Sequence, residues 1–95
     1  MTTLNATIHA PNRLQICAIL ATSAELEFKL IREHLDVSDS VVSKHLKVLE
    51  ESGYIQLKKR AEFGRSRTWV ALTSEGRKAL SSHVKALKAI IADAV

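Results

Sequence analysis

Residues 38–52 read SDSVVSKHLKVLEES, and Gly53 follows. Val42, Leu46 and Leu49, with Val41 beside them, lie on one stripe of a helix, so one side of this segment is built to be buried. Ser38 is a good N-cap, and Asp39 puts negative charge at the positive end of the helix dipole. Gly53 suits the left-handed residue that closes the helix. The opposite side carries Asp39, Ser40, Ser43, Lys44 and Lys47, all hydrogen-bonding or charged.

Upstream, Phe28-Lys-Leu-Ile-Arg-Glu-His-Leu35 places Phe28, Ile31 and Leu35 at helical spacing, and Asp36-Val37 breaks the pattern. Two helices joined by so short a turn form a helix-turn-helix, whose second helix enters the DNA major groove. Base edges are read there by hydrogen bonds, so the groove-facing side must be polar. Ser40, Ser43 and Lys44, in the first two turns, are the candidates for base readout. Lys47 and His45 are candidates for phosphate. Ser38 and Asp39 at the N-terminus complete the set. On its own this surface fits an ordinary solvated helix face equally well.

Downstream the period changes to two. Ile55, Leu57 and Lys59 alternate with Gln56, Lys58 and Arg60, which marks a strand. EFGRS reads as a loop, and RTWVALT as a returning strand with Val70 and Leu72 on one face. Lys58, Lys59, Arg60, Arg65 and Arg67 crowd into this hairpin opposed by Glu62 alone. Such crowding costs self-repulsion and does nothing for folding. Phosphate binding accounts for it, and Arg65 at the tip is suited to a minor groove. The competing account is a charged edge that resists aggregation. Trp69 reads as a packing residue that anchors the hairpin, and Tyr54 as one that seats it.

Further out, Pro11 suits the first turn of a helix running through NRLQICAILATS, which is apolar almost all round. Leu4 and Ile8 add a short apolar turn before it. A partner subunit is expected to cover part of this helix, with Ile8, Ile16 and Leu20 at the contact. Thr73 caps a final helix with Glu75 in its first turn. Leu80, Val84, Leu87 and Ile91 form a seam along it of the kind that packs helix on helix. A short strand near Ala24–Glu27 is expected to pair with the hairpin. The expected architecture is α+β and mostly α: one unit over 1–95, with a helix-turn-helix about 28–52, a hairpin about 54–73 and dimerisation helices about 4–22 and 74–93.

Composition narrows the function. The chain has 95 residues, a formal net charge of +4 and 46% hydrophobic residues, which suits one small soluble domain with a polyanionic partner. Only 4% of residues are aromatic, too few for a base-stacking surface that holds single strands. No apolar run is long enough to span a bilayer, and the N-terminus lacks the pattern of a secretory signal. Cys17 is the one cysteine; it reads as a small core residue and suits a cytoplasmic setting. The four histidines, His9, His34, His45 and His83, give no helical metal pair, so neither a metal nor a cofactor is expected. Glycine loops for phosphate, nucleophile motifs and carboxylate pairs are missing, so an enzyme is not expected.

The stretch SVVSKHLKVLEESGYIQLKKRAEFGRSRTWVALTSEGRKAL resembles the winged-helix regulators related to the MarR and ArsR groups. It is most similar to a small stand-alone winged-helix DNA-binding family marked by IHAPNRLQI, SDSVVSKHLKVLEESGYI and GRSRTWVALTSEGRKAL. The likeness runs from about Ile8 into the last helix. It implies a homodimer joined through the first and last helices, a recognition helix at Ser38–Ser52 and a wing around Ala61–Thr68. Many relatives have Gly where this chain has Asp36; Asp tolerates a left-handed backbone, so the turn is expected to form. The expected partner is a palindromic double-stranded operator, and any small-molecule effector is left unspecified. A winged-helix protein-interaction module without DNA binding is the competing function.

Overall fold

The computed structural model describes residues 3–94; Met1, Thr2 and Val95, the ends of the expected unit, lie outside them. The helices are α1 (Ala6–His9), α2 (Pro11–Leu20), α3 (Phe28–Leu35), α4 (Asp39–Glu51) and α5 (Ser74–Ala94). The strands are β1 (Leu26–Glu27), β2 (Ile55–Glu62) and β3 (Arg65–Leu72). They form an antiparallel sheet in the order β1-β3-β2.

Local chemistry sets the boundaries. Pro11 occupies the first turn of α2. Ser38 accepts a hydrogen bond from the Val41 N–H at 3.3 Å and caps α4. Thr73 Oγ1 accepts from the Gly76 N–H at 3.0 Å and caps α5. Asp36 ends α3 in the left-handed region, at φ 54° and ψ 49°, so the turn forms without glycine. Gly53 closes α4 at φ 78°. Gly76 sits where α5 crosses the start of the hairpin: a Cβ there would fall on the Tyr54 carbonyl oxygen, so only glycine allows this approach.

The core gathers one stripe from each helix. Ile16, Cys17 and Leu20 of α2, Ile31 of α3 and Val42, Leu46 and Leu49 of α4 meet Ile55, Val70 and Leu72 of the sheet. Cys17 is buried, and desolvation pushes its thiol up to about 11, so it stays protonated and inert. The expectation of a partner-covered α2 needs correction. Ile8, Ile16 and Leu20 are 0% exposed in the single chain. They hold the protomer's own core and offer nothing to a second copy. What α2 turns outward includes Ala18, with exposed Ala21 just past its end. Two other corrections are smaller. EFGRS is no five-residue loop, because pairing continues to Glu62↔Arg65 and leaves only Phe63-Gly64 as the turn. The extra strand is Leu26–Glu27 rather than the longer Ala24–Glu27.

The core also contains one polar residue, His83 of α5, at 0% exposure. The Asn5 N–H donates to its Nδ1 at 2.9 Å, and its Nε2 lies 3.3 Å from Nδ1 of His9. Nδ1 must therefore be an acceptor, which puts the ring proton on Nε2, facing His9. The Asn5 amide group donates in turn to the Tyr54 hydroxyl at 2.9 Å. This chain of bonds ties α1 to α5 and to the start of β2, and it requires neutral His83. Burial first, and the neighbouring His9 second, hold His83 below its ordinary value of 6.5. The unfolded chain then binds the proton more readily, so stability is full above about 6.5 and is lost as pH falls below it. Burial first, then Arg13 and Lys44, lower His45 as well, which adds to the same trend. Urea unfolding from about pH 7.5 down to about pH 5 should show this loss, and His83→Gln should remove part of the slope. Equal slopes for wild type and variant would mean that burial of neutral His83 is not the source of the pH dependence.

Candidate nucleic-acid interface

Helix α4 buries Val42, Leu46 and Leu49, which leaves Ser40, Ser43, Lys44 and Lys47 exposed on its other side. The hairpin lies next to this surface. Ser43 and Lys47 of α4 line one groove of about 510 Å³ together with Leu57, Lys59 and Thr68 of the hairpin. Two lysines from different elements thus share one open cleft, and Glu50 is the carboxylate in its lining.

The remaining helix residues have more specific surroundings. Ser38 is committed to the cap, with its hydroxyl 3.1 Å from that of Ser40. Asp39 pairs with Arg32 of α3 at 2.9 Å, an exposed ion pair of small energetic weight. His45 is turned to the flank. Its Nδ1 lies 3.3 Å from Arg13 Nη1 and its Nε2 3.4 Å from Asn12 Nδ2. Asn12 and Arg13 at the start of α2 therefore border the exposed face of α4. Sequence reasoning missed them, because nothing in a local pattern connects residues 12 and 13 to residue 45.

The hairpin cations divide between two faces, as a strand requires. Lys59 lies cross-strand from Thr68, on the α4 side. Lys58 pairs in register with Trp69, Arg60 with Arg67, and Arg65 with Glu62, on the other face. Glu62 is not their sole counter-charge. Arg60 donates to both carboxylate oxygens of Glu25, at 2.6 and 2.9 Å. Arg67 pairs with Glu27 of β1 at 3.3 Å. The hydrogen bonds from Arg60, with its charge, hold the Glu25 carboxyl below its ordinary range. Arg60 also sits over the Trp69 ring at 5.5 Å, so the tryptophan does brace the hairpin. Lys58, Lys59 and Arg65 have no ion pair among the described residues. Glu25 and Glu27 were legible only once β1 was known to pair with β3, and a two-residue strand announces itself weakly.

A helix-turn-helix followed by a two-stranded hairpin folded beside its second helix defines a winged helix, here in an α+β, mostly helical chain. The comparisons agree. The winged helix DNA-binding domain family matches residues 12–91, and the chain belongs to that family. It is 35% identical over 72 residues to the uncharacterized protein MJ0432 of Methanocaldococcus jannaschii, covering 76% of this chain and 78% of that one. The structure of a transcriptional regulator homologue from Pyrococcus horikoshii OT3 superposes with a TM-score of 0.87 at 29% identity, covering 92% of this chain and 86% of that one. A MarR-family transcriptional regulator from Enterococcus faecalis V583 shares the fold, with a TM-score of 0.72 at 23% identity over 86% of this chain and 73% of that one. Among the described residues, no helix is long and apolar enough to cross a membrane.

The Arg60–Glu25 pair makes a measurable difference to the charge the wing can offer. Glu25→Gln should free the guanidinium and remove one negative charge. Duplex binding should then tighten at low salt, and the slope of log K against log salt should steepen by about one. Fluorescence anisotropy over a salt series checks this; an unchanged slope would mean that Arg60 stays on Trp69 and out of reach of phosphate.

Proposed function

We propose that the chain is a homodimeric, sequence-specific regulator of transcription that grips double-stranded DNA, with α4 in the major groove and the hairpin wing on the backbone or in the adjacent minor groove. One observation carries this reading: Ser43 and Lys47 on the polar face of α4 and Lys59 of the wing line a single open groove. Ser40, Ser43 and Lys44 are the base-reading residues in this proposal. Lys47, Lys58, Lys59 and Arg65 contact phosphate or the minor groove. Arg60 and Arg67 reach DNA only by exchanging their carboxylate partners, so they rank behind the other cations. Ser38 and Asp39 position the start of the helix, and His45 acts with Arg13 at its flank.

Dimerisation is supported by α5. Every described residue from Lys88 onward is exposed, and Ile90 and Ile91 are 53% and 58% exposed. The last turns of this helix thus carry apolar side chains with nothing of the chain over them. Val84 and Leu87 are half-buried, Leu80 is nearly covered, and Ala21, Leu80 and Val84 line a groove along the same helix. The proposed interface is therefore Val84, Leu87 and Ile91, with Ile90 added and the four core residues Ile8, Ile16, Leu20 and Leu80 removed, Leu80 because it is 9% exposed and packs into the protomer's own core. The 1–95 unit would then divide as the sequence suggests, with α4 reading and the wing clamping. α5 would set the half-site separation at about 10–10.5 base pairs of a rough palindrome. Repression by occluding a promoter is the mode proposed, on the habit of the winged-helix regulators this chain resembles.

Two experiments test the arrangement. Lys59→Ala or Arg65→Ala should weaken binding to all duplexes and flatten the salt slope by about one. Ser43→Ala or Lys44→Ala should instead change which sequences are recovered from a random duplex pool. Binding and selection unchanged at all four positions would reject this geometry, and affinity for a protein partner without any for duplex DNA at low salt would favour the interaction module. Separately, Leu87→Asp should give monomers in sedimentation, because an unpaired charge in an apolar seam costs several kcal/mol, roughly the scale of a buried unpaired ion. A stable dimer of that variant would refute the α5 seam.

A further inference from the structure

The wing ends in an unusual turn. Pairing of Glu62 with Arg65 leaves Phe63 and Gly64 as a two-residue connection, and both have left-handed backbones, at φ 51° and 76°. That is the pattern of a type I′ hairpin turn, whose twist matches the flanking strands and whose usual occupants are Asn-Gly or Asp-Gly. Gly64 meets the requirement. Phe63 does not, because a bulky side chain in this region crowds its own backbone. The ring gains nothing from the chain in return. Phe63 is 97% exposed, the most exposed of the large apolar residues among those described. Asparagine at this position would fold the turn better and leave no aromatic ring in water. The free protein therefore bears two local costs at one residue, and folding explains neither.

Both costs are offset if the ring is buried in a complex. The surroundings point to the partner: Arg65 follows the turn with Glu62 across from it, and Lys58 and Lys59 stand further along β2; among the described residues none of these three cations has an ion pair, so a partner polyanionic outside and apolar within suits the wing. A DNA duplex is both, with phosphates lining a groove whose floor is stacked base faces. A second copy of the wing would bring like charges together. We propose that Phe63 is an apolar wedge that enters the minor groove and partly unstacks one base step, anchored by the flanking cations on phosphate. This rests on the DNA-binding reading and extends it: the wing selects deformability, favouring pyrimidine–purine steps, which unstack most cheaply.

The test compares wild type with Phe63→Asn, which keeps the charge and suits the turn. Thermal unfolding should give the variant a Tm no lower than wild type. Duplexes recovered by wild type from a random pool should bind the variant roughly tenfold more weakly, the worth of one lost aromatic burial. The salt slope should not change, in contrast with Arg65→Ala. Selection repeated with the variant should lose the enrichment of TA and CA steps flanking the half-sites. Equal affinity and equal step preference for the two proteins would overturn the wedge while leaving the DNA reading intact. Wild type that binds no duplex at low salt would remove both. Affinity for phosphatidylserine vesicles that depends on Phe63, with duplex affinity unaffected, would overturn the wedge in favour of a membrane surface.

Discussion

A helix that buries Val42, Leu46 and Leu49 has one side left, and everything this molecule offers to a partner depends on that constraint. The three side chains sit in the core with Ile31, Ile55 and Val70, and turning α4 about its axis would expose them and bury lysine. Removing each such side chain from water is worth about 1.5–3 kcal/mol, so the rotation of the helix is fixed by several such terms at once. The face bearing Ser40, Ser43, Lys44 and Lys47 is thereby aimed outward. The hairpin is held next to it because Ile55 and Val70 share the same core.

Charge on the wing is arranged by pairing as much as by composition. Alternation along β2 sends neighbouring cations to opposite faces, and the short β1 strand carries Glu27 to within reach of Arg67, while Glu25 just before it meets Arg60. Two of the five hairpin cations are thus partly neutralised, and one also stacks on Trp69. Those with no such partner are Lys59, next to α4, and Lys58 and Arg65, on the outer face. The result is a wing with localised rather than uniform positive potential. That suits a surface that must meet a phosphate backbone at defined points.

Among the described residues, two positions have left-handed backbones without being glycine, and they have different explanations. Asp36 closes α3, and its N–H donates to the Arg32 carbonyl at 2.9 Å, an ordinary helix end that a short polar side chain tolerates. Phe63 has no such local compensation. At the other end of the molecule, neutral His83 joins α1, α5 and Tyr54 through hydrogen bonds, in a core that is otherwise apolar. Helix α5, proposed for dimerisation, and the base of the wing therefore share one polar joint.

Periodicity and punctuation made most of the fold legible in the sequence. The stripe of Val42, Leu46 and Leu49, the caps Ser38 and Thr73, the stops Asp36 and Gly53 and the alternation after Tyr54 are local signals. They act through backbone geometry within a few residues, so a linear reading captures them. The polar surface of α4 and the cation-rich hairpin were legible for the same reason. Contacts between residues distant in sequence were not. Only the tertiary structure decided that Ile8, Ile16 and Leu20 belong to the protomer's own core, that His9 meets His83, that Arg13 flanks His45 and that Glu25 holds Arg60. Burial and ion pairing depend on which surfaces the packed elements bring together, and one-dimensional spacing does not contain that information.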